Sequence, residues 1–586
     1  MRLRPGNLGL TVKETETGLK SDLPIANPLS PPRPQWWSIL KLLPWLIALG
    51  SFVLNLLTAW LNHFDGLYGQ DAYAYFAHAV ELYQHGSMFH HWQWEAEPRL
   101  LFWPLGYPAL VALFFAFTGV SAQAAQLVSI VAQAVTAGLT AALVSRMYPY
   151  SNSKSFLSSE TSQAQALILQ KSASLFAGGA VALSPLGRQA GLTVMADALT
   201  LALTTLALWL VVEGRIRQNG LWLAGAGLAL AAAASTRYAA LTVLPALLIC
   251  WLWPTRRDEP NNSSMQRDGE GKSPAALTIG FLAHLSRPAA LIAFGLGLGL
   301  AALPQTIINL AWPKPFWGHQ WLTGWSPLNF GRTVFDTPDG HAVYPTSPLV
   351  FYGLEPLLNL RFLTPFIIPL VLAGLVVLWQ GRRGWQSWTV LASWLVPVLL
   401  LGGVPYENER FSLSFLPPVA IIAGLGLGQI YQWVGHYFRF KSFLAASLII
   451  TLLGLAGLGW AGQKHLEGFA AFKQGQLGVV ETVERKLPAE ATLLSFGISL
   501  TYDHYYPLRS VFDLSALDEA AVAQIIAEKP VVYLLVEPAV LEQQFKATPI
   551  GNSYQAARKF ALEPTVWQSG KYRLWQLRSG DRRSQL

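Results

Sequence analysis

The stretch LLPWLIALGSFVLNLLTAWL at residues 42–61 carries no charged side chain. An α-helix of about 20 apolar residues is long enough to cross the hydrocarbon core of a bilayer. We therefore predict a membrane-spanning helix here. Residues 1–41 ahead of it are polar and rich in proline, and no small-residue cleavage site follows. The pattern favours an uncleaved signal anchor behind a cytoplasmic tail.

Similar apolar runs recur along most of the chain, which is 52% hydrophobic and only 13% charged. The runs are continuous rather than alternating, so they indicate helices and not the strands of a membrane barrel. The predicted spans are 42–61, 123–145, 172–187, 194–212, 221–236, 238–253, 288–310, 363–380, 387–403, 412–434 and 443–461. The fold class expected is a polytopic α-helical membrane protein with about 11 transmembrane helices.

The run at 105–118 is short for a span and begins between Pro104 and Pro108, so we interpret it as a helix at the membrane interface. With that choice and a cytoplasmic N-terminus, the inside segments hold 20 lysines and arginines against seven in the outer loops. This asymmetry follows the positive-inside rule. It places the loops 62–122 and 311–362, and everything after residue 461, on the outer face.

Residues 462–586 have a different pattern. Apolar runs at 491–496 and 531–536 alternate with helix-like stretches at 466–487, 518–529 and 538–560. Alternation of this kind predicts a small α/β soluble domain. The domain lacks a phosphate-binding glycine loop, so no nucleotide is assigned to it.

The net charge of +8 does not indicate nucleic-acid binding, because the basic residues flank apolar segments instead of forming a stripe interleaved with aromatics. Cys250 is the single cysteine, which excludes a disulfide and a thiolate metal cluster. The basic residues are better explained as topology signals.

The first outer segment contains the most informative polar residue. HFDGLYGQDAYAYFA at 63–77 places Asp71 among tyrosines, and FWPLGYP follows at 102–108. Aromatic faces beside a carboxylate suit a sugar, since rings stack on its C–H faces while the acid binds hydroxyls. Two simpler explanations stay open: Asp71 as a helix N-cap, and the rings as an interfacial aromatic belt.

At these residues the chain resembles the GT-C glycosyltransferases. The likeness is greatest to protein O-mannosyltransferases, lipid-A aminoarabinose transferases and lipopolysaccharide-core sugar transferases. It extends over roughly 40–460 and includes Ser184-Pro185 followed by Asp197, and Asn408-Glu409-Arg410-Phe411 ahead of Leu416-Pro417-Pro418. The resemblance implies a GT-C membrane domain over 42–461 in a bacterial inner membrane, with residues 462–586 in the periplasm.

The resemblance also implies a reaction in which a monosaccharide leaves a polyprenyl phosphate for a lipid, glycan or protein acceptor, with inversion of the anomeric centre. Asp71 would be the general base, and Arg410 and Arg237 would bind the donor phosphate. The remaining residues expected at the substrate are Tyr73, Tyr75, Trp103, Tyr107, Asp197 and Glu409.

Each assignment has a structural alternative. Arg410 could serve as an anchor at the end of a span, and Arg237 could mark a turn. Arg188 and Asp197 flank one short loop and are expected to pair with each other. Glu409 could orient Arg410 or face water.

A metal is not expected to be obligatory, although a divalent ion stays open. His85, His90 and His91 have metal-binding side chains but lack a regular helical spacing. Two other functions also stay open: a polytopic sugar or lipid transporter (a flippase), and an O-antigen ligase-like protein, which would use a diphosphate donor. A scaffold that merely presents the C-terminal domain would leave the polar outer residues without a role.

The topology leads to a labelling prediction. Single cysteines in a Cys250→Ser background should react with an impermeant reagent from outside at Ser87 and Ser569. Cysteines at Ser153 and Ser263 should react only after the membrane is opened. Outside labelling at Ser153 would show that 105–118 spans the membrane.

Overall fold

The computed structural model describes residues 40–95, 98–100, 103–148, 160–253, 287–312, 324–337, 340–381, 384–435 and 440–578. The helices within Leu42–Leu586, which form one compact unit, are α1 (Leu43–Leu61), α2 (Gly69–His85), α3 (Gly106–Thr118), α4 (Ala122–Met147), α5 (Glu160–Leu183), α6 (Pro185–Leu192), α7 (Ala196–Arg217), α8 (Gly220–Ala234), α9 (Leu244–Leu252), α10 (Arg287–Ala311), α11 (Pro348–Gly353), α12 (Glu355–Leu358), α13 (Ile368–Gln380), α14 (Trp385–Gly402), α15 (Leu416–Gly435), α16 (Phe440–Glu484), α17 (Ser499–Tyr505), α18 (Glu519–Glu528), α19 (Pro538–Gln543) and α20 (Pro549–Arg558). Short 3-10 helices cover Tyr238–Val243, Pro365–Ile367 and Glu409–Phe415.

Eight of the described helices are long and apolar enough to cross a membrane. The predicted spans at 221–236, 238–253 and 363–380 correspond to shorter apolar helices. Backbone groups in hydrocarbon must be satisfied within the chain, and the helical ladder achieves this for each apolar run. The predicted class, a polytopic α-helical membrane protein, is confirmed.

The run at 105–118 forms α3, which has 13 residues. At 1.5 Å per residue it is about 20 Å long, shorter than the hydrocarbon core. Gly106 starts it directly against the end of α8, where its N–H donates to the carbonyl of Ser235 at 2.7 Å. The helix is therefore fixed to the bundle at its first residue.

The last span does not end where its hydropathy ends. α16 continues for 45 residues, so the domain boundary predicted at 461/462 falls inside an unbroken helix. The sequence beyond Gly462 becomes more polar, and its glutamine, glutamate and lysine residues are helix formers that remain compatible with a helix in water. The fall in hydropathy near Gly462 therefore does not coincide with the end of α16.

The small C-terminal α/β domain is confirmed. Its sheet contains β5 (Thr492–Ser495), β6 (Val511–Asp513), β7 (Val532–Val536), β8 (Trp567–Ser569) and β9 (Tyr572–Leu577) in the order β6-β5-β7-β9-β8. β6, β5 and β7 are parallel, and β9 and β8 are antiparallel. The helix predicted at 538–560 is two helices, and the sequence analysis did not predict α17 or β6.

Two antiparallel strand pairs lie in the segments between spans: β1 (Phe89–His90) with β2 (Arg99–Leu100), and β3 (Val334–Thr337) with β4 (Gly340–Val343). The second pair reaches the C-terminal domain, since the His341 N–H donates to the carbonyl of Gln544 at 2.8 Å. The segment that contains β3 and β4 is thus in direct contact with the C-terminal domain.

Close packing of α8 on α10 depends on glycine. A Cβ at Gly297 would overlap the carbonyl oxygen of Ala224, whereas a Cβ at Gly295, on the same helix, would meet nothing within 4 Å. Small residues let membrane helices approach closely enough for backbone contact.

We predict that Gly297→Ala separates α8 from α10 and lowers the free energy of unfolding by about 1–3 kcal/mol, the usual effect of overpacking. Thermal unfolding in detergent measures it. Gly295→Ala makes the same chemical change in open space and should leave the unfolding temperature unchanged or slightly higher. Equal effects of the two variants would contradict the packing argument.

Candidate functional site

The loop that leads into α2 has an unusual backbone. His63, Gly66 and Gly69 have φ values of 48°, 86° and 64°. At Gly66 a Cβ would also lie 2.9 Å from Gln126 and Val194, so only glycine fits. This tight path ends α1 and starts α2 at Gly69, which places Asp71 in the first helical turn.

Asp71 pairs with Arg410, which is distant in sequence and also contacts a second acid. The Arg410 guanidinium donates from Nη1 to Oδ2 of Asp71 at 3.1 Å, and its Nη2 lies 3.2 Å from Oδ2 of Asp197. Arg237 completes the cluster, with its Nη1 2.7 Å from Oδ1 of Asp197. Two carboxylates and two guanidiniums therefore form one connected ion-pair cluster.

Cavities lie on both sides of the Arg410–Asp197 pair. The first, of about 200 Å³, is lined by Tyr68, Gly69, Gln70, Asp71, Leu186, Gln189, Ala190, Thr193, Met195, Asp197, Arg410 and Leu413. The second, of about 40 Å³, is lined by Asp197, Thr200, Leu201, Thr204, Arg237, Ala239, Ala240, Thr242, Val243, Leu401, Arg410, Phe411, Leu413 and Ser414. The two cavities share Asp197, Arg410 and Leu413.

The two acids differ in accessibility. The Asp71 side chain is 33% exposed and the Asp197 side chain 4%. Asp197 is occupied on both oxygens by arginines, whereas the contact of Asp71 with Arg410 uses Oδ2. Asp71 is thus the acid that can reach a bound molecule, and Asp197 is suited to hold the arginines. The N-cap alternative fails, since the N-cap is Tyr68 and no side chain caps α2.

The expected Arg188–Asp197 pair is wrong. Arg188 is buried in α6 and donates to Thr58 at 2.7 Å and to Asn55 at 3.5 Å. Asp197 pairs instead with Arg237, which also lies 5.2 Å from the ring centre of Phe411. Proximity in sequence suggested Arg188 as the partner of Asp197, but the Arg188 side chain points from α6 toward α1.

The predicted aromatic residues do not line the first cavity. Tyr73 faces the C-terminal part of the chain, where its hydroxyl accepts from Lys473. Tyr75 is buried and packs against Trp103 and Tyr107, at 5.7 and 5.4 Å between ring centres. The Tyr107 hydroxyl bonds to Ser129 at 2.9 Å. These rings form a wall behind the ion-pair cluster, and their predicted contact with substrate stays a prediction.

Glu409 is turned away from Asp71. Its carboxylate pairs with Arg361 at 3.1 Å beside a separate, smaller cavity.

Burial raises the pKa of the neighbouring Glu407 to about 7, and the nearby Glu355 carboxylate adds to the effect. Glu407 therefore gains a proton near neutral pH, and no basic partner within the described residues offsets its charge.

Several cavity residues were not predicted from the sequence, among them Tyr68, Gln70, Gln189 and Thr193. Tyr68 and Gln70 lie within the stretch 63–77, close to Asp71, and could have been predicted from it. Gln189 lies in α6 and Thr193 directly follows that helix, and no local pattern indicated either residue. Among the described residues, no group of three or more His, Cys, Asp or Glu side chains is arranged to hold a metal ion.

Comparison with known proteins gives a family-model match to one segment and a shared fold. The model of the dolichyl-phosphate-mannose-protein mannosyltransferase family matches residues 164–265, a segment that contains Asp197 and Arg237 but not Asp71 or Arg410. No curated protein sequence matches the chain.

Solved structures match over nearly the whole chain. ArnT from Cupriavidus metallidurans bound to undecaprenyl phosphate is 13% identical with a TM-score of 0.51, and the alignment covers 92% of this chain and 98% of ArnT. The archaeal oligosaccharyltransferase AglB from Archaeoglobus fulgidus, in complex with an inhibitory peptide and a dolichol-phosphate, is 11% identical with a TM-score of 0.50, over 90% of this chain and 73% of AglB. The predicted resemblance is confirmed: the chain is a polytopic membrane protein with the fold of the GT-C glycosyltransferases.

Proposed function

We propose that the protein transfers a monosaccharide from a polyprenyl-phosphate donor to a hydroxyl of a lipid, glycan or protein acceptor. The observation that carries this proposal is the Asp71–Arg410–Asp197 cluster on the wall of the first cavity. It combines an accessible carboxylate with a guanidinium held in one orientation. The lipid phosphates in the ArnT and AglB structures support a donor of this class.

The charges of the site are compatible with a bound phosphate. The cluster has two acids and two arginines, so its formal charge is balanced before a ligand binds. Asp71 and Asp197 both lie in the first turns of their helices, α2 and α7. Helix N-termini carry a partial positive charge, which adds attraction for a phosphate beside Arg410.

The reaction requires one proton acceptor and one stabilised leaving group. The acceptor oxygen forms a bond to the anomeric carbon as the bond from that carbon to the phosphate oxygen breaks. Asp71 accepts the hydroxyl proton, and Arg410 stabilises the charge that develops on the departing polyprenyl phosphate. Attack opposite the leaving group inverts the anomeric centre. Arg237 supports this arrangement because it holds Asp197, which in turn holds Arg410.

We further propose that the reaction takes place on the outer face of a bacterial inner membrane. The basic-residue asymmetry supports a cytoplasmic N-terminus and a periplasmic C-terminal domain. No obligatory metal is part of the mechanism, so transfer should continue in excess EDTA.

A transporter or flippase is the second candidate. It would need the same polar cavities but would move a substrate without breaking a bond. The transferase is favoured because Asp197 fixes Arg410 next to an accessible carboxylate, an arrangement that proton transfer requires and transport does not.

Asp71→Asn tests the general base. It keeps size and hydrogen bonding but removes basicity, so transfer of radiolabelled sugar from polyprenyl phosphate should fall by about 10²- to 10⁴-fold while donor lipid still binds. Asp336→Asn is the matched control, because this carboxylate is 89% exposed on β3. Parental transfer by Asp71→Asn would exclude the proposed mechanism.

Arg410→Lys tests the leaving-group site. Lysine keeps the positive charge but lacks the planar guanidinium that hydrogen-bonds to two carboxylates at once. Turnover should therefore fall by roughly 10²-fold in a protein that still inserts and folds. Arg332→Lys, at an exposed position near Phe335, should behave as the parent. If Arg410→Ala shows normal kinetics, Arg410 serves only as a membrane anchor.

A further inference from the structure

The segment around Asp71 is held from outside the membrane bundle. Gln70, the residue directly before Asp71, accepts a hydrogen bond from the Leu500 N–H at 2.9 Å. Leu500 belongs to α17 of the C-terminal domain, while Gln70 lines the first cavity. One hydrogen bond therefore connects the C-terminal domain to the neighbour of the proposed base.

A second contact fixes the loop ahead of α2. Asp65 accepts from the Leu67 N–H through Oδ1 at 3.0 Å and from the Tyr505 hydroxyl through Oδ2 at 2.5 Å. Both oxygens of the Asp65 carboxylate accept hydrogen bonds, one from within the loop and one from α17. Burial raises the pKa of the Tyr505 hydroxyl, which keeps it protonated and able to donate.

A third contact reaches the side of α2. Lys473 of α16 is 3% exposed, and its ammonium donates to the Tyr73 hydroxyl and lies 4.6 and 5.5 Å from the ring centres of Tyr73 and Tyr505. The ring of His504 packs on Tyr73 and Phe76 at 5.5 and 5.4 Å. A buried ammonium is costly unless its surroundings compensate it, so a fixed arrangement of these rings is favoured.

We propose that α17 and Lys473 are a positioning device for the reaction site, with Tyr505 and Gln70 as positioning residues that set the place of Asp71 relative to Arg410. This rests on the proposed function. The C-terminal domain then contributes to the chemical step through the position of α2 and does not touch the reacting atoms. A small displacement of a catalytic group is enough to lower a rate strongly.

A matched pair of tyrosines on α17 separates positioning from stability. Tyr505→Phe removes the hydroxyl that crosses to Asp65, whereas Tyr502→Phe removes one that donates to the Val480 carbonyl at 3.1 Å, away from α2. Both rings stay in place. We expect Tyr505→Phe to lower kcat for sugar transfer about tenfold or more with the donor KM within about twofold of the parent, and Tyr502→Phe to leave kcat within about twofold. The unfolding temperature is measured for both.

Hydrogen exchange of the peptide covering residues 65–76 gives a readout that does not depend on activity. It should be faster in Tyr505→Phe than in the parent and unchanged in Tyr502→Phe. If the parent transfers no sugar, the proposed function fails, and the exchange result still decides whether α17 fixes α2. Equal kcat and equal exchange in the two variants would overturn the proposal. So would a Tyr505→Phe variant that loses only thermal stability.

Discussion

Arg410 joins two helices that are far apart in the chain, because one end of its guanidinium binds Asp71 of α2 and the other binds Asp197 of α7. Lysine has no planar fork and could not make both contacts in this way. The Arg410 side chain is 25% exposed, so the ion pairs are only partly screened by solvent. The two cavities, the orientation of Asp71 and the placement of Arg237 all depend on this bridge.

The bridge also explains how charged groups are tolerated at the ends of apolar helices. A charge buried without a partner is expensive, and removing one member of a buried pair leaves the other uncompensated. Asp197 is the most buried member and has two partners, whereas Asp71 is more exposed and pairs with Arg410. A phosphate that approaches Arg410 can displace either acid from the guanidinium. Displacing Asp71 costs less free energy than displacing Asp197, because the Asp71 carboxylate is more exposed to water. Under the proposed function, this difference would link donor binding to the release of Asp71 from its ion pair.

The fold was predictable from the sequence because spans and basic loops are local patterns. Each predicted span overlaps a helix, although the span predicted at 172–187 runs past the end of α5 at Leu183 into α6. The position of Asp71 in a first turn was also local. Its pairing with a residue 339 positions away was not, since no alternation or spacing connects them. Helical geometry explains why the two tyrosines do not line one cavity together: residues two apart point to nearly opposite sides of a helix, so Tyr73 and Tyr75 cannot both face the same space.

α16 shows why a division into membrane domain and soluble domain is misleading here. A helix of 45 residues rises about 68 Å, more than twice the hydrocarbon thickness. It places Lys473 beside α2 and ends at Glu484, whose carboxylate pairs with Arg509 of the C-terminal domain at 2.5 Å. The same continuous helix thus contacts α2 and the C-terminal domain. A deletion that starts where the apolar part of α16 ends would remove residues that contact the segment around Asp71. The C-terminal domain is therefore part of the architecture that positions Asp71.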